Sequence, residues 1–175
     1  MLLALDRLKR RYRKLKAYLV LADTLKEDFV RSFIKDSSLR IVPNSEIYNI
    51  LSVSDIAFVT SGTATLQTAI MQTPMIVVYR GSYISFLIAK TLVKIPYISL
   101  PNLIAGKKIV PELIQNDFTV ENLVENALKI LEDSGYRKRM KEGLRKVKES
   151  LGMNASKKAA QIAYQMIRCS FKKKI

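Results

Sequence analysis

The sequence predicts an α/β fold in which helices cover both faces of a parallel sheet. Short runs of four or five apolar residues recur between residues 17 and 100, and a helical pattern separates each run from the next. Such runs are typical of parallel strands that are buried on both faces. The connections are short and the chain contains no internal repeat. This alternation indicates a Rossmann-like parallel sheet.

Five strands are predicted in one sheet, with a helix after each of the first four. Thr24 and Glu27 have the spacing of a capping box at the start of the first of these helices, and Asn44 or Ser45 caps the second. The predicted strands are residues 17–21, 39–42, 56–59, 75–79 and 97–100, and the helices are residues 24–34, 44–52, 63–72 and 82–94. A helix also precedes the first strand, whereas a Rossmann-like unit opens with a strand. The sequence therefore fits the later part of a longer protein.

The composition of the 175-residue chain excludes several classes of site. The chain has no His and one Cys, Cys169. It cannot supply a Ser-His-Asp triad, a Cys-His dyad, a His-ligated metal site or a four-Cys zinc site. A single Cys also excludes an internal disulfide and favours a reducing compartment. No signal peptide or membrane-spanning segment is evident.

The positive charge is concentrated at the two ends of the chain. Residues 1–16 carry a net charge of +6 and residues 137–175 carry +11, while the segment between them carries −2. From Thr119 onward the pattern is helical only, so we expect a single domain over residues 1–175 with a basic helical tail over residues 137–175. Basic ends indicate attraction to a polyanion, either nucleic acid or an anionic lipid surface, although they also fit solvated helix faces.

The turn after the third predicted strand is the first candidate ligand site. It reads Ser61-Gly62-Thr63-Ala64 and opens a helix. Gly62 lets a ligand approach the backbone closely, and the free N–H groups at a helix start favour a phosphate. The hydroxyls of Thr63 and Thr65 could add hydrogen bonds. The same residues also fit an ordinary Ser/Thr-capped turn, and they form neither a Walker A loop nor a GxGxxG motif.

The end of the fifth predicted strand is the second candidate. Asn102 follows Pro101 at the carboxyl end of this strand, and a loop with Gly106, Lys107 and Lys108 comes next. Ligands bind at carboxyl strand ends in open parallel sheets. Asn102 also fits a simple turn after proline.

Three runs of residues stand out, namely SGTATLQ, TPMIVVYR and SLPNLIAGKKIVPELIQ, over residues 61–67, 73–80 and 99–115. They resemble lipid-A-disaccharide synthase, a family of glycosyltransferases of lipopolysaccharide assembly. The last run is far more specific than a glycine-containing turn. Residues 152–160 also resemble the family's C-terminal helix entry. The resemblance extends over residues 1–170 and covers the family's C-terminal half.

The resemblance implies a GT-B architecture, in which two Rossmann-like domains enclose the active site. This chain would be the C-terminal domain, which binds the donor UDP-diacylglucosamine. The acceptor would be diacylglucosamine 1-phosphate, and the products would be a β-1,6-linked lipid A disaccharide and UDP. The family implies no metal or other cofactor, and the absence of a DxD motif fits this expectation. It also implies a bacterial protein that is cytoplasmic and peripheral on the inner membrane.

The resemblance assigns donor binding to nine residues: Ser61, Gly62, Thr63, Ala64, Gln67, Arg80, Asn102, Glu112 and Gln115. Gln67 stands where the family often has a Glu that binds the ribose hydroxyls. Its carbonyl still accepts a hydrogen bond, but it carries no charge. Arg80 matches an arginine suited to the phosphates of UDP and is the one candidate catalytic residue.

The family's N-terminal domain, and a Leu-Pro-Gly-Ser-Arg loop that carries a site arginine, have no counterpart in these residues. We therefore expect this chain to be inactive without an N-terminal half. One alternative is another UDP-sugar enzyme of the GT-B class, an epimerase or a transferase. The other is a non-catalytic basic fragment at a membrane surface. Nucleic acid is disfavoured because no aromatic residues interleave the basic ones.

Two apolar helical stripes complete the sequence predictions. Residues 82–94 fit a helix near acyl chains or the membrane surface, and equally a helix in the core or in an interface. Residues 155–167 place apolar side chains along one stripe. This stripe would need another surface to cover it, such as the N-terminal half or a second copy of the chain.

Overall fold

The computed structural model describes residues 1–34, 39–81, 96–152, 160–164 and 166, and the fold is α/β with parallel strands flanked by helices, as predicted. The strands are β1 (Ala17–Leu21), β2 (Leu39–Pro43), β3 (Ala57–Thr60), β4 (Met75–Tyr79) and β5 (Glu112–Ile114). The helices are α1 (Leu2–Arg11), α2 (Glu27–Arg31), α3 (Ile47–Val53), α4 (Thr63–Ile70), α5 (Leu100–Ala105), α6 (Val120–Glu132) and α7 (Ser134–Leu151).

The five strands form two parallel sheets rather than the single sheet predicted. Strands β1 and β2 pair with each other, from Ala17 opposite Leu39 to Leu21 opposite Pro43. The other three strands pair in the order β3-β4-β5. Among the described residues no ladder joins the two sheets, so the prediction of one sheet is wrong there.

The hydrophobic core surrounds β4, the central strand of the larger sheet. All four residues from Met75 to Val78 are buried, so both faces of this strand are covered. Helix α1 packs on α6 through Ala4 and Leu8, while α4, α5 and α7 pack against one another. Helix α7 contributes Met140, Leu144 and Val147 to the core. The larger sheet therefore lies between two groups of helices.

The segment after β1 is less helical than predicted. Helix α2 spans only Glu27–Arg31, and no residue of it is buried. The N–H of Leu25 donates to Ala22 O at 2.9 Å, which closes a turn around Thr24 in place of the predicted capping box. A short helix without a buried face has little to stabilise it. After β2, the Asn44 amide donates to Asp23 Oδ2 at 2.9 Å, and a 3-10 turn precedes α3.

Residues 97–100 do not form the fifth strand. Helix α5 begins at Leu100, with Pro101 in its first turn, and the fifth strand is Glu112–Ile114 instead. The carboxylate of Glu112 accepts hydrogen bonds from the N–H groups of Ile98 and Ser99 at 3.1 and 2.9 Å. Because a side chain satisfies these donors, the segment has no need of a ladder partner.

Part of the helical prediction lies outside the described residues. This applies to the whole helix predicted at 82–94, and to residues 153–159, 165 and 167–175 of the tail. Helix α7 bears out the helical extension as far as Leu151. Of the stripe, Ile162 and Met166 are described, and both are exposed. In the part of the chain that is described, no helix is both long and apolar enough to cross a bilayer.

Helix α1 provides a matched test of the packing. We expect Leu8→Ala to lower the free energy of unfolding by about 2–5 kcal/mol, because this side chain is buried against the core. Leu3→Ala on the same helix should change it by less than about 0.5 kcal/mol, because Leu3 is 67% exposed. Urea denaturation followed by circular dichroism measures both. Equal effects would contradict the packing of α1 on the core.

Candidate functional site

The carboxyl ends of β3, β4 and β5 meet at one edge of the larger sheet. Thr60 lies opposite Val78, and Tyr79 lies opposite Ile114. Arg80, which follows the central strand β4, therefore lies between the glycine turn that follows β3 and Gln115, which follows β5. In open parallel sheets this edge is where ligands bind.

The turn at Gly62 exposes the start of helix α4. Gly62 has φ +154° and ψ −165°, and a Cβ placed there would have no atom within 4 Å. No side chain caps the helix, so the N–H groups of Thr63 and Ala64 lack an intrahelical acceptor. Gly62 and Thr63 are exposed to solvent. The turn thus presents free donors and the positive end of a helix dipole at an open surface.

Of the hydroxyls of Ser61, Thr63 and Thr65, two form hydrogen bonds within the chain and one lies at the surface. Ser61 Oγ donates to Ile98 O at 2.8 Å and ties the turn to the segment before α5. Thr65 is buried, and its Oγ1 donates to Gly62 O at 2.7 Å, so the prediction that it faces a ligand is wrong. Thr63 makes no hydrogen bond with its side chain in the described part of the chain. Of the hydroxyls at this turn, that of Thr63 is the one available to a ligand.

Arg80 is exposed beside a shallow pocket. The pocket holds about 170 Å³ and is lined by Arg80, Met1, Phe118, Thr119, Val120 and Leu123. The guanidinium of Arg80 forms no hydrogen bond or ion pair within the described residues. An exposed guanidinium without a carboxylate partner can bind an anion such as phosphate in two-point geometry.

Gln115 holds the backbone beside Arg80 in place. Its side-chain amide donates to Gly81 O at 3.2 Å and its carbonyl accepts from the N–H of Gly81 at 3.1 Å. Gln115 is nearly buried and has a positive φ of 49°. Its side-chain amide is thus bonded to the chain itself, and it holds the backbone of the residue next to Arg80.

Asn102 and Glu112 form a buried polar network under the same edge. The Asn102 amide donates to Val110 O at 3.0 Å and to Glu112 Oε1 at 2.8 Å. Its carbonyl accepts from the N–H groups of Ile109 and Val110 at 2.7 and 3.0 Å. Glu112 Oε1 also accepts from the Ser99 hydroxyl at 2.6 Å. Asn102 is fully buried, and these four bonds use its whole capacity.

These contacts revise the sequence-based view of Asn102. It lies inside α5 and not at the end of a strand. Its polar atoms, like those of Glu112 and Gln115, bind the chain itself. That the three residues lie near the donor stays a prediction, and the geometry gives them the role of holding the edge.

Gln67 lies one turn into α4 and is partly exposed. Its side-chain amide approaches the Tyr48 hydroxyl of α3 at 3.5 Å, the longest side-chain hydrogen bond at this edge. This weak contact leaves the side-chain carbonyl of Gln67 free to accept from a ligand.

Sequence reasoning missed the far wall of the pocket. Thr119 begins α6, and its Oγ1 accepts from the N–H of Asn122 at 3.1 Å. The Thr-x-x-Asn pattern was a readable helix-start signal. That Thr119 lies beside Arg80 in the pocket depends on how α6 packs against the sheet.

In the described residues, no cluster of three potential metal-ligating side chains occurs.

Comparison with known proteins identifies the family of this chain. A family model described as lipid-A-disaccharide synthetase matches residues 1–166. The chain belongs to the lipid-A-disaccharide synthase family. A lipid-A-disaccharide synthase of Solibacter usitatus is 38% identical over 166 residues, which are 93% of this chain and 43% of the relative. That of Wigglesworthia glossinidia brevipalpis is 42% identical over 134 residues, which are 77% of this chain and 34% of the relative.

The chain therefore spans about two fifths of the length of the curated relatives that it matches. The lipid-A-disaccharide synthase of Geobacter sulfurreducens matches to a similar extent, with 31% identity over 164 residues, or 93% of this chain and 43% of the relative. The family assignment bears out the resemblance read from the sequence.

Because Asn102 bonds to several buried backbone groups, replacing its side-chain amide should strongly reduce stability. We expect Asn102→Ala to lower the free energy of unfolding by roughly 2–5 kcal/mol, because it leaves two N–H groups and a carbonyl of the 109–110 loop without partners. Asn102→Asp should be at least as harmful, because a second carboxylate would face Glu112. Thermal and urea unfolding measure the loss.

Asn49→Ala is the control for this test. Asn49 is exposed, and its side-chain amide makes one surface hydrogen bond, to Glu46. Its replacement should change stability by less than about 0.5 kcal/mol. If Asn102→Ala matched this control, the network would not be what fixes the edge.

Proposed function

We propose that this chain is the donor-nucleotide half of a lipid-A-disaccharide synthase. The observation that carries the proposal is the uncapped helix start at Gly62 beside Arg80 on the adjacent strand end, where the Arg80 side chain has no partner among the described residues. In this family, such a site would bind the UDP of a UDP-diacylglucosamine donor. The acceptor would be diacylglucosamine 1-phosphate, and the products would be lipid A disaccharide and UDP.

The geometry suits a diphosphate leaving group. The N–H groups of Thr63 and Ala64 and the Thr63 hydroxyl would hydrogen-bond one phosphate, while Arg80 would bind the other. Negative charge grows on UDP as the glycosidic bond to the donor sugar breaks. Arg80 and the dipole of α4 would stabilise that charge most strongly in the transition state. This charge stabilisation requires no metal ion, in keeping with the expectation that the reaction is metal-independent.

The remaining groups of the reaction would come from elsewhere. The acceptor hydroxyl needs a base, and the acceptor needs a binding surface. We assign both to an N-terminal half, which is the first partner proposed for this chain. The displacement would invert the configuration at the anomeric carbon of the donor sugar.

Helix α7 favours an anionic membrane surface as the second partner. Its buried stripe leaves Lys138, Arg139, Lys141, Lys146 and Lys148 exposed on the other faces. Such an array attracts anionic lipids electrostatically. A peripheral site on the cytoplasmic face of the inner membrane would place the chain beside its acylated substrates.

The basic N-terminal segment contributes less to such a surface. Arg7 pairs with Glu121 at 2.8 Å and Arg11 pairs with Glu132 at 2.7 Å. The hydrogen bond from Tyr12 and the pair with Arg11 lower the pKa of the Glu132 carboxyl, so this carboxylate stays ionised. Part of the positive charge of α1 is thus paired with carboxylates of α6 and is less available to a membrane surface.

Titration with UDP, followed by chemical shifts, tests the donor site. We expect millimolar affinity, with shifts at residues 61–67 and around Arg80. Arg80→Ala should weaken binding by at least about tenfold, because it removes a charge-assisted hydrogen bond. Gly62→Val should abolish binding by blocking the approach to the N–H groups. Gln67→Glu should tighten binding if the carboxylate reaches the ribose.

Two controls separate this site from general effects. Gly106→Ala changes another glycine of positive φ with open space around it, and Arg40→Ala removes an exposed arginine from β2. Neither should alter UDP binding. Shifts that cluster away from the edge, or equal loss with Arg40→Ala, would refute the donor site. Salt-sensitive binding to anionic vesicles without UDP binding would favour the basic membrane fragment.

The second functional prediction concerns turnover. The purified 175-residue chain should form no disaccharide from UDP-diacylglucosamine and diacylglucosamine 1-phosphate, because the acceptor site and the base are assigned to the other half. The full-length relative from Solibacter usitatus serves as the positive control. Turnover by the chain alone would place the whole catalytic apparatus within these residues.

A further inference from the structure

Tyr48 is a half-exposed aromatic residue beside the candidate donor site. It lies in the first turn of α3, the helix that precedes β3, and its side chain is 46% exposed. Its hydroxyl contacts the side-chain amide of Gln67 on α4 at 3.5 Å. Within the described residues this is the one hydrogen bond that the hydroxyl makes. The contact joins two helices at the surface and contributes nothing to the buried core.

Gln67 lies on the same face of α4 as Thr63, whose N–H and hydroxyl are available at the glycine turn. The two residues are four positions apart, so their side chains lie one above the other, about 6 Å apart along the helix axis. In a nucleoside diphosphate, the ribose hydroxyls are separated from the nearest phosphate by a similar distance. A nucleotide whose diphosphate binds the turn and that extends along α4 therefore brings its ribose to Gln67.

The side-chain amide of Gln67 can present either of its ends to a ligand. Its NH2 group donates hydrogen bonds and its carbonyl accepts them. In the structure the NH2 group donates to the Tyr48 hydroxyl, and the carbonyl makes no hydrogen bond with the described residues. The end that remains for a ribose hydroxyl is therefore the acceptor. A neighbour that holds the amide in advance also reduces the conformational entropy that a long side chain loses on binding.

We propose that Tyr48 is a positioning residue of the donor site, and that its hydroxyl holds the Gln67 amide so that the carbonyl accepts from the ribose. The inference rests on the proposed function, because it takes the ligand to be a nucleoside diphosphate bound at the Gly62 turn. A contact of 3.5 Å is weak by itself. A chain of hydrogen bonds that runs from the ribose through the amide to the phenol strengthens each of its members.

The test measures how strongly the site recognises the ribose. The two ligands are UDP and 2′,3′-dideoxy-UDP, which lacks both ribose hydroxyls but keeps the base and the diphosphate. Chemical-shift titration of the purified chain gives a dissociation constant for each ligand. Because the two ligands differ only in the ribose hydroxyls, the ratio of these constants reports the ribose contact.

For the unchanged chain we expect UDP to bind about five- to tenfold more tightly than the dideoxy analogue, which is the factor that a net neutral hydrogen bond supplies. Tyr48→Phe keeps the ring and removes the hydroxyl. It should lower the ratio to about twofold or less and leave the affinity for the analogue unchanged. Gln67→Ala should abolish the ratio, and Tyr48→Phe added to Gln67→Ala should have no further effect, because Tyr48 acts through Gln67.

A spectroscopic signature separates positioning from a general loss of structure. The side-chain NH2 signals of Gln67 should move in Tyr48→Phe before any ligand is added, because their acceptor is gone. Tyr12→Phe is the matched control. It removes a phenol hydroxyl that donates to Glu132 at 2.7 Å, at the opposite end of α6 from Thr119. It should leave both the Gln67 signals and the ratio unchanged.

Two results with Tyr48→Phe would overturn the proposal. If the full ratio were kept, the hydroxyl would not position Gln67. If binding of UDP and of the analogue weakened equally, Tyr48 would support the site as a whole and not the ribose contact. UDP that bound at residues 61–67 of the unchanged chain with a ratio of one would refute this inference alone. Absence of UDP binding there would refute the proposed function together with it.

Discussion

The carboxamide of Asn102 is the interaction on which the site edge depends. It joins the loop at Ile109 and Val110 to the carboxylate of Glu112, and that carboxylate in turn holds Ser99 at the start of α5. Every donor and acceptor of the amide is used in a fully buried position. Leaving any of these groups without a partner would be costly, so the arrangement has few alternatives.

Hydrogen bonds connect this buried network to the surface residues that would contact a ligand. Ser61 donates to Ile98 O, next to the residues that Glu112 holds, and Gln115 clamps Gly81 beside Arg80. The glycine turn and the guanidinium are therefore positioned by buried groups that do not themselves face solvent. Rigid support of this kind is what a preorganised anion site requires.

The basic residues at the two ends of the chain have different structural roles. At the N-terminal end, Arg7 and Arg11 pair across to acidic residues of α6, which joins two helices. On α7, Arg145 pairs with Glu142 and Glu149 of its own helix, and the exposed lysines point away from the core. Basic residues therefore join α1 to α6 at the N-terminal end of the chain, whereas on α7 they form a positively charged surface.

The sequence by itself determined the fold class, four of the five strands and the family, because buried parallel strands have a continuous apolar signature and the SLPNLIAGKKIVPELIQ run is specific. It could not place the fifth strand, since YISL at 97–100 is as apolar as a strand. Only the tertiary structure decided that the Glu112 carboxylate satisfies the Ile98 and Ser99 amides there. The pairing of the strands and the burial of Asn102, which bonds to residues 109, 110 and 112, were likewise decided by the tertiary structure, because local sequence patterns do not encode such contacts.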